Sequence, residues 1–320
     1  GRTTGTSFVD ISDPERPVYL GNLPTQTYST VWRELKTYKN YAFIGSDSAG
    51  NHGMQIFDLT QLRSVSNPPV TFAANARYTG FNTAHTITIN EATGIIYANG
   101  TNTCSGGLHM VDVRNPLSPQ FAGCFSSDGY THDSQCVIYT GPDSEHAGKE
   151  ICMASNEDTL TVVDVTNKAA PRQLSRTTYA GHGYTHQGWL TEDQRYFFLD
   201  DEFDEMNARI PTTTYMWDVS NLDAPRVIGT YLAGTAAIDH NQFVVGNRVF
   251  QANYRAGLRI LDITDVATGQ LREIGYFDIY PSNDAAEFNG AWHNYPFYAS
   301  GVVTINGIEQ GMFVVRPKDS

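Results

Sequence analysis

A short phrase recurs along this chain at intervals of roughly 50 residues, the spacing of stacked supersecondary units. It is an alternating apolar run, then aspartate, then an aliphatic residue. Its copies end at Asp10, Asp58, Asp112, Asp164, Asp218 and Asp262, in steps of 48, 54, 52, 54 and 44, with a weaker copy over Gly311–Arg316. A turn follows, often with proline as at Asp13-Pro14, Asn115-Pro116, Ala170-Pro171 and Ala224-Pro225, and then another apolar run. Between these copies a second phrase opens on histidine, at His85, His132, His186, His240 and His293, in steps of 47, 54, 54 and 53. Trp32-Arg33 holds the corresponding place in the first unit. Each unit therefore reads as four short strands with period-2 alternation and Gly/Pro/Asn/Asp punctuation. Nothing sustains a helical period. The composition agrees: 12% aromatic residues, 28 Gly and 14 Pro in 320 residues suit strands and tight turns.

The expected fold is all-β, a β-propeller of four-stranded antiparallel blades. One blade cannot cover both its faces, whereas a ring of blades does, so residues 1–320 are expected to form a single propeller domain. Residues 6–22 supply a third and a fourth strand with no first or second before them. Residues 291–316 supply three strands and no fourth. Either the two ends share one blade of six, or the chain begins inside the first of seven blades. Seven is favoured.

The chain carries 21 Lys+Arg against 34 Asp+Glu, a net charge of −13, which repels phosphate backbones and argues against a nucleic-acid partner. No apolar stretch approaches the ~18 residues of a membrane span. Neither end resembles a targeting segment, so a mature or trimmed form is expected. The four cysteines form no CxxC pair. Strand order brings Cys104 to Cys124 and Cys136 to Cys152 across two hairpins, and such bridges imply an oxidising compartment. Four buried thiols are the alternative.

The runs Thr103–Asp112, Gly129–Asp133, Asn156–Asp164, Tyr184–Leu190 and Gln251–Asp262 resemble the choice-of-anchor B family, whose members carry LVIVD repeats. The resemblance extends over nearly the whole chain. It implies a secreted or surface-displayed bacterial β-propeller, tethered in other members by one of several C-terminal anchors. No anchor is visible after Pro317, which suits a processed or released form. Members tend to begin one half-blade before Gly1, which fits seven blades. The resemblance implies a fold and an address more than a chemistry.

The first strand of a propeller blade lines the central axis, so the five histidines are expected to converge at one channel mouth. Neutral imidazoles there suit Cu, Fe, Zn or Ni. Asp133, Gln187, Asn241 and Asn294 stand beside them, with Trp32 and Arg33 completing the mouth. The alternative is that each histidine caps a strand. The acidic run Asp200, Asp201, Glu202, Asp204, Glu205 offers hard oxygen donors for Ca²⁺, without EF-hand spacing. Asp47 and Asn156–Asp158 lie at the same place in neighbouring units; the alternative is a solvated loop. The repeated aspartates are expected to be structural, each accepting from a backbone amide one or two residues on. No GxSxG, HExxH or P-loop motif occurs. Two functions follow. One is an extracellular binding or assembly module that contacts other cell-surface components or further copies of itself, with Trp32, Tyr184, Trp189 and Trp292 as anchors. The other is a metalloenzyme, redox in character, built on the histidines.

Overall fold

The computed structural model describes residues 1–318. The chain forms a seven-bladed β-propeller, with seven sheets built from 26 strands among the described residues. The strands are β1 (Gly5–Asp10), β2 (Val18–Pro24), β3 (Arg33–Tyr38), β4 (Tyr41–Ser46), β5 (Met54–Asp58), β6 (Val70–Thr71) and β7 (Ala76–Tyr78). Then come β8 (Thr86–Asn90), β9 (Ile95–Asn99), β10 (His109–Asp112), β11 (Gln120–Cys124), β12 (Asp133–Ile138), β13 (Glu150–Ser155), β14 (Leu160–Asp164) and β15 (Arg172–Thr177). The rest are β16 (Thr185–Leu190), β17 (Tyr196–Asp201), β18 (Thr213–Asp218), β19 (Arg226–Leu232), β20 (Gln242–Val245), β21 (Arg248–Ala252), β22 (Leu258–Asp262), β23 (Arg272–Phe277), β24 (Ala291–Tyr295), β25 (Val303–Gly307) and β26 (Gly311–Val315). Sheets β8–β11, β12–β15, β16–β19 and β20–β23 each have four strands in chain order, as the repeat predicts. β1 and β2 share a three-stranded sheet with β6, and β24–β26 form another three-stranded sheet.

One strand has no counterpart in the repeat. β6 follows β5, returns to the first sheet and pairs with β2 in parallel, Gly21 opposite Val70. Gly21 makes this possible: at φ +146° a Cβ there would stand 1.9 Å from the Val70 carbonyl oxygen. The fourth sheet position after β5 is taken by β7 instead.

Two compact units are distinguished. The first comprises Gly1–Ile138, Glu150–Ala154 and Val163–Gln173; the second comprises Tyr139–Lys149, Ser155–Val162 and the chain from Leu174. In the first, Phe43, Ile56, Ile87, Ile96 and Val111 are sealed from solvent, and Phe8, Phe57 and Phe72 pack edge-on or stacked. Tyr97, Met110 and Val163 close around the Cys136–Cys152 bridge. In the second, Phe198, Met216, Val249 and Leu261 form one core cluster and Ala252, Leu258 and Ile305 another. In the β16–β19 sheet burial falls outward: β17 and β18 are buried throughout, whereas β19 is largely half-buried or exposed. An inner strand is covered on both faces and an outer one on a single face, which explains continuous apolar runs in the first and weak alternation in the second.

All six repeated aspartates do what their position predicts. Asp10, Asp58, Asp112, Asp164, Asp218 and Asp262 each accept a hydrogen bond from the backbone amide two residues on, at 2.8–3.0 Å. The side chain closes the turn that ends the third strand.

The cysteines pair as Cys104–Cys124 and Cys136–Cys152, separated by 20 and 16 residues. Loops of that size confine the unfolded chain by about 3 kcal/mol each. Replacing either pair with serines is expected to lower the stability read from urea unfolding by about that amount; a change below ~0.5 kcal/mol, the range of inert surface substitutions, would contradict it.

Candidate metal centre

Two of the predicted histidines come together in the second unit. β16 carries an extra residue against β17: Thr185 pairs with Asp201 and Gln187 with Asp200, leaving His186 as a bulge. A bulge re-aims its side chain. His186 turns its Nδ1 to Asp200 Oδ1 at 2.7 Å. Asp200 is itself held, accepting from the Gln187 amide and, through Oδ2, from Gln242 Nε2. His240 donates Nδ1–H to the carbonyl of Trp292 at 2.5 Å.

Both rings thus have Nδ1 committed to an oxygen acceptor. In the neutral form the proton sits on Nδ1 and the lone pair on Nε2. Those two Nε2 atoms border one carboxylate: His186 Nε2 is 4.0 Å from Glu202 Oε2, and His240 Nε2 is 3.6 Å from Glu202 Oε1. The ring centroids are 4.4 Å apart. Tyr254 donates its hydroxyl to Glu202 Oε1 at 2.7 Å, and burial, with the charge of Glu202 second, pushes its own ionisation well above the usual range. His186 is 1% exposed and His240 4%. Two imidazoles and a buried carboxylate thus stand beside one another, and both donor types are ones that divalent transition ions take.

His293 does not stand in this cluster. β24 has its bulge at Trp292, since Ala291 pairs with Gly307 and His293 with Asn306. Trp292 therefore occupies the place beside His240, 5.0 Å between rings, while His293 faces Phe243 at 5.0 Å. Gln187, Asn241 and Asn294 serve the backbone: Gln187 exchanges two bonds with Gln242, and the Asn294 amide donates to the carbonyls of Asn241 and Phe250. Tyr184 stacks on Phe203, Trp189 packs on Phe243 and Trp292 on His240.

Within the acidic run, Asp201 is saturated, accepting from the amides of Gly183 and Tyr184 and from the Tyr179 hydroxyl at 2.6–2.7 Å. Asp204 and Glu205 open the short helix α1 (Asp204–Ala208) and are buried. Burial first, then neighbouring carboxylates, pushes Asp204 up to about 7 and Glu205 up to about 10. Asp239, absent from the sequence candidates, is wholly buried, and burial with four acidic neighbours raises it well above the usual carboxylate range. Asp158, further back, pairs on the surface with Arg176.

In the first unit His85 and His132 form a second pair, 4.4 Å between rings, with His85 Nδ1 bonded to Asp47 at 2.9 Å. The His132 carbonyl accepts from Thr86, and burial pushes neighbouring Asp133 up to about 7. Arg33 is buried against His52 and Thr25 and bonds the carbonyl of Arg2, while Trp32 stays 40% exposed.

Two histidines outside the predicted set are structural. His109 lies between the hydroxyls of Tyr78 and Thr103, and burial holds it down at about 4. His52 is held at about 4 by burial and then by Arg33 and Arg77. The unfolded chain takes up these protons near pH ~6.5, the folded one only near 4. The stability His109 adds is thus complete above about pH 6.5 and lost as pH falls toward 4. The stability gap between the wild type and His109→Asn, from urea unfolding, is expected to shrink across that window. A gap constant from pH 7 to 4 would contradict this.

Residues 148–178 match the LVIVD repeat. No curated protein matches the sequence. Among solved structures, a protein from Lactobacillus plantarum superposes with a TM-score of 0.63 at 13% identity, covering 93% of this chain and 83% of that one. The periplasmic gluconolactonase of Pseudomonas aeruginosa gives 0.56 at 11%, covering 85% and 76%. A β-propeller domain from Myceliophteria thermophila gives 0.56 at 13%, covering 94% and 88%. Likeness at such identities extends to the fold alone.

Proposed function

We propose that this chain is a metal-dependent enzyme of an oxidising, extracytoplasmic compartment, with a divalent transition ion held by His186, His240 and Glu202. One observation carries the reading. Asp200 and the Trp292 carbonyl take the Nδ1 protons, so two Nε2 lone pairs face the same carboxylate at 4.0 and 3.6 Å. Acceptors brought together in a dry site favour a shared cation. A bound ion of this kind acts as a Lewis acid toward a substrate oxygen or water. Asp200 keeps His186 in one orientation, and Tyr254 keeps Glu202 in place. The two disulfides support the compartment.

The binding-module reading has less support, because Tyr184, Trp189 and Trp292 are packed against aromatic neighbours and Trp32 alone of the four anchors stands open. A sugar lactone is the substrate class to assay first, since a propeller of similar fold is a gluconolactonase. The test is elemental analysis of purified protein after exposure to zinc or iron(II), with lactone hydrolysis followed before and after chelation. About one equivalent of ion and a chelator-sensitive rate are expected. Protein that takes up neither metal overturns the reading.

A further inference from the structure

We infer that Asp143, His146 and Asp223 form a second cation site of the second unit, for zinc, sharing no residue with the imidazole centre. Two turns build it. β12 and β13 are joined through residues 139–149, a longer connection than the 91–94 and 191–195 that join β8 to β9 and β16 to β17. Within it the His146 amide donates to the Asp143 carbonyl at 3.1 Å, which puts both side chains on one turn. The second turn follows β18 and carries Asp223. Its Leu222 amide donates to Asp143 Oδ2 at 2.9 Å and ties the two turns together. The His146 side chain is fully buried, that of Asp143 is 14% exposed and that of Asp223 48%, so an ion has access from the Asp223 side.

His146 Nε2 stands 2.9 Å from Asp223 Oδ2 and 4.0 Å from Asp143 Oδ2, and one donor atom of each residue lies within 4.8 Å of the other two. Donors around a tetrahedral zinc, with bonds of about 2.0–2.1 Å, stand about 3.4 Å apart. The two separations at Nε2 bracket that value, so small side-chain rotations suffice. One nitrogen and two carboxylate oxygens, with a fourth position facing solvent, suit zinc; calcium asks for six or more oxygens. Lys149 opposes the ion. Its ammonium donates to His146 Nδ1 at 3.1 Å, which leaves the ring proton on Nε2, donated to Asp223. Zinc takes the Nε2 lone pair, the proton moves to Nδ1, and Lys149 turns away. A site with one imidazole and an opposing charge holds zinc less tightly than one with two imidazoles, and its ion is expected to leave on desalting. The linear text gave no hint of it, because His146 stands outside the histidine register of the repeat.

Calorimetric titration with zinc of the full chain carrying His186→Ala/His240→Ala tests the site. About one equivalent is expected to bind. Adding Asp223→Asn, which keeps an acceptor for His146, is expected to weaken that binding by about 10-fold or more. Adding Lys149→Met instead is expected to tighten it by about 5-fold, because a like charge is gone and Nδ1 is free to hold its proton. In the wild-type background Asp223→Asn is expected to remove the weaker of two binding steps. The imidazole centre is read separately, as the difference between the wild type and the two-histidine variant. No zinc uptake by the two-histidine variant overturns the proposal. So does uptake that Asp223→Asn leaves unchanged, or that Lys149→Met fails to tighten.

Discussion

Alanine at His240 is expected to weaken zinc binding by about 100-fold or more, and alanine at His186 by a similar factor, because each removes one of three donors. The two rings differ in what holds them. His186 depends on a side chain, so Asp200→Asn, which leaves a neutral and weaker acceptor at Nδ1, is expected to cost about 10-fold in affinity while leaving all three donors present. His240 depends on the Trp292 carbonyl, which no side-chain substitution removes. His293→Ala is the internal comparison, since its ring packs on Phe243. It is expected to bind zinc as the wild type does. Isothermal titration with zinc on apo-protein reads all four variants. Equal loss at His293 and His240 would return the site to a general ring of histidines, and no loss at His186 or His240 would remove the centre.

The largest stability effect is expected at Glu150, at the start of β13. Its Oε1 accepts from Asn90, Thr93 and Tyr97 at 2.6–2.8 Å, and its Oε2 from Lys168 at 2.5 Å. The Glu150 side chain is 4% exposed and that of Lys168 16%. Alanine there strands a nearly buried ammonium and three donors, at a cost of about 3–5 kcal/mol. Glu150→Gln keeps an acceptor for the hydroxyl and amide donors but not the charge, so a smaller loss is expected. Adding Lys168→Met to Glu150→Ala is expected to recover part of the cost, because the stranded charge is gone. Urea unfolding of the set checks the order; a Glu150→Ala loss below ~1 kcal/mol, the net worth of an ordinary hydrogen bond, would show that the pair carries little.

The repeat and the four-stranded blades were legible in the linear text, and so were the aspartate turns and the two disulfides. These features are local. An Asx turn spans three residues, a hairpin fixes its own register, and alternation reports which face of a strand is covered. The candidate site was legible only in part. Tandem copies placed His186 and His240 at strand starts, but a one-residue bulge decides which side chain faces inward, and it put Trp292 where the spacing put His293. β6 left no mark in the repeat, because it meets β2 across some fifty residues of chain. Which carboxylates the protein satisfies depends on donors contributed by several strands at once, and only their packing settles that.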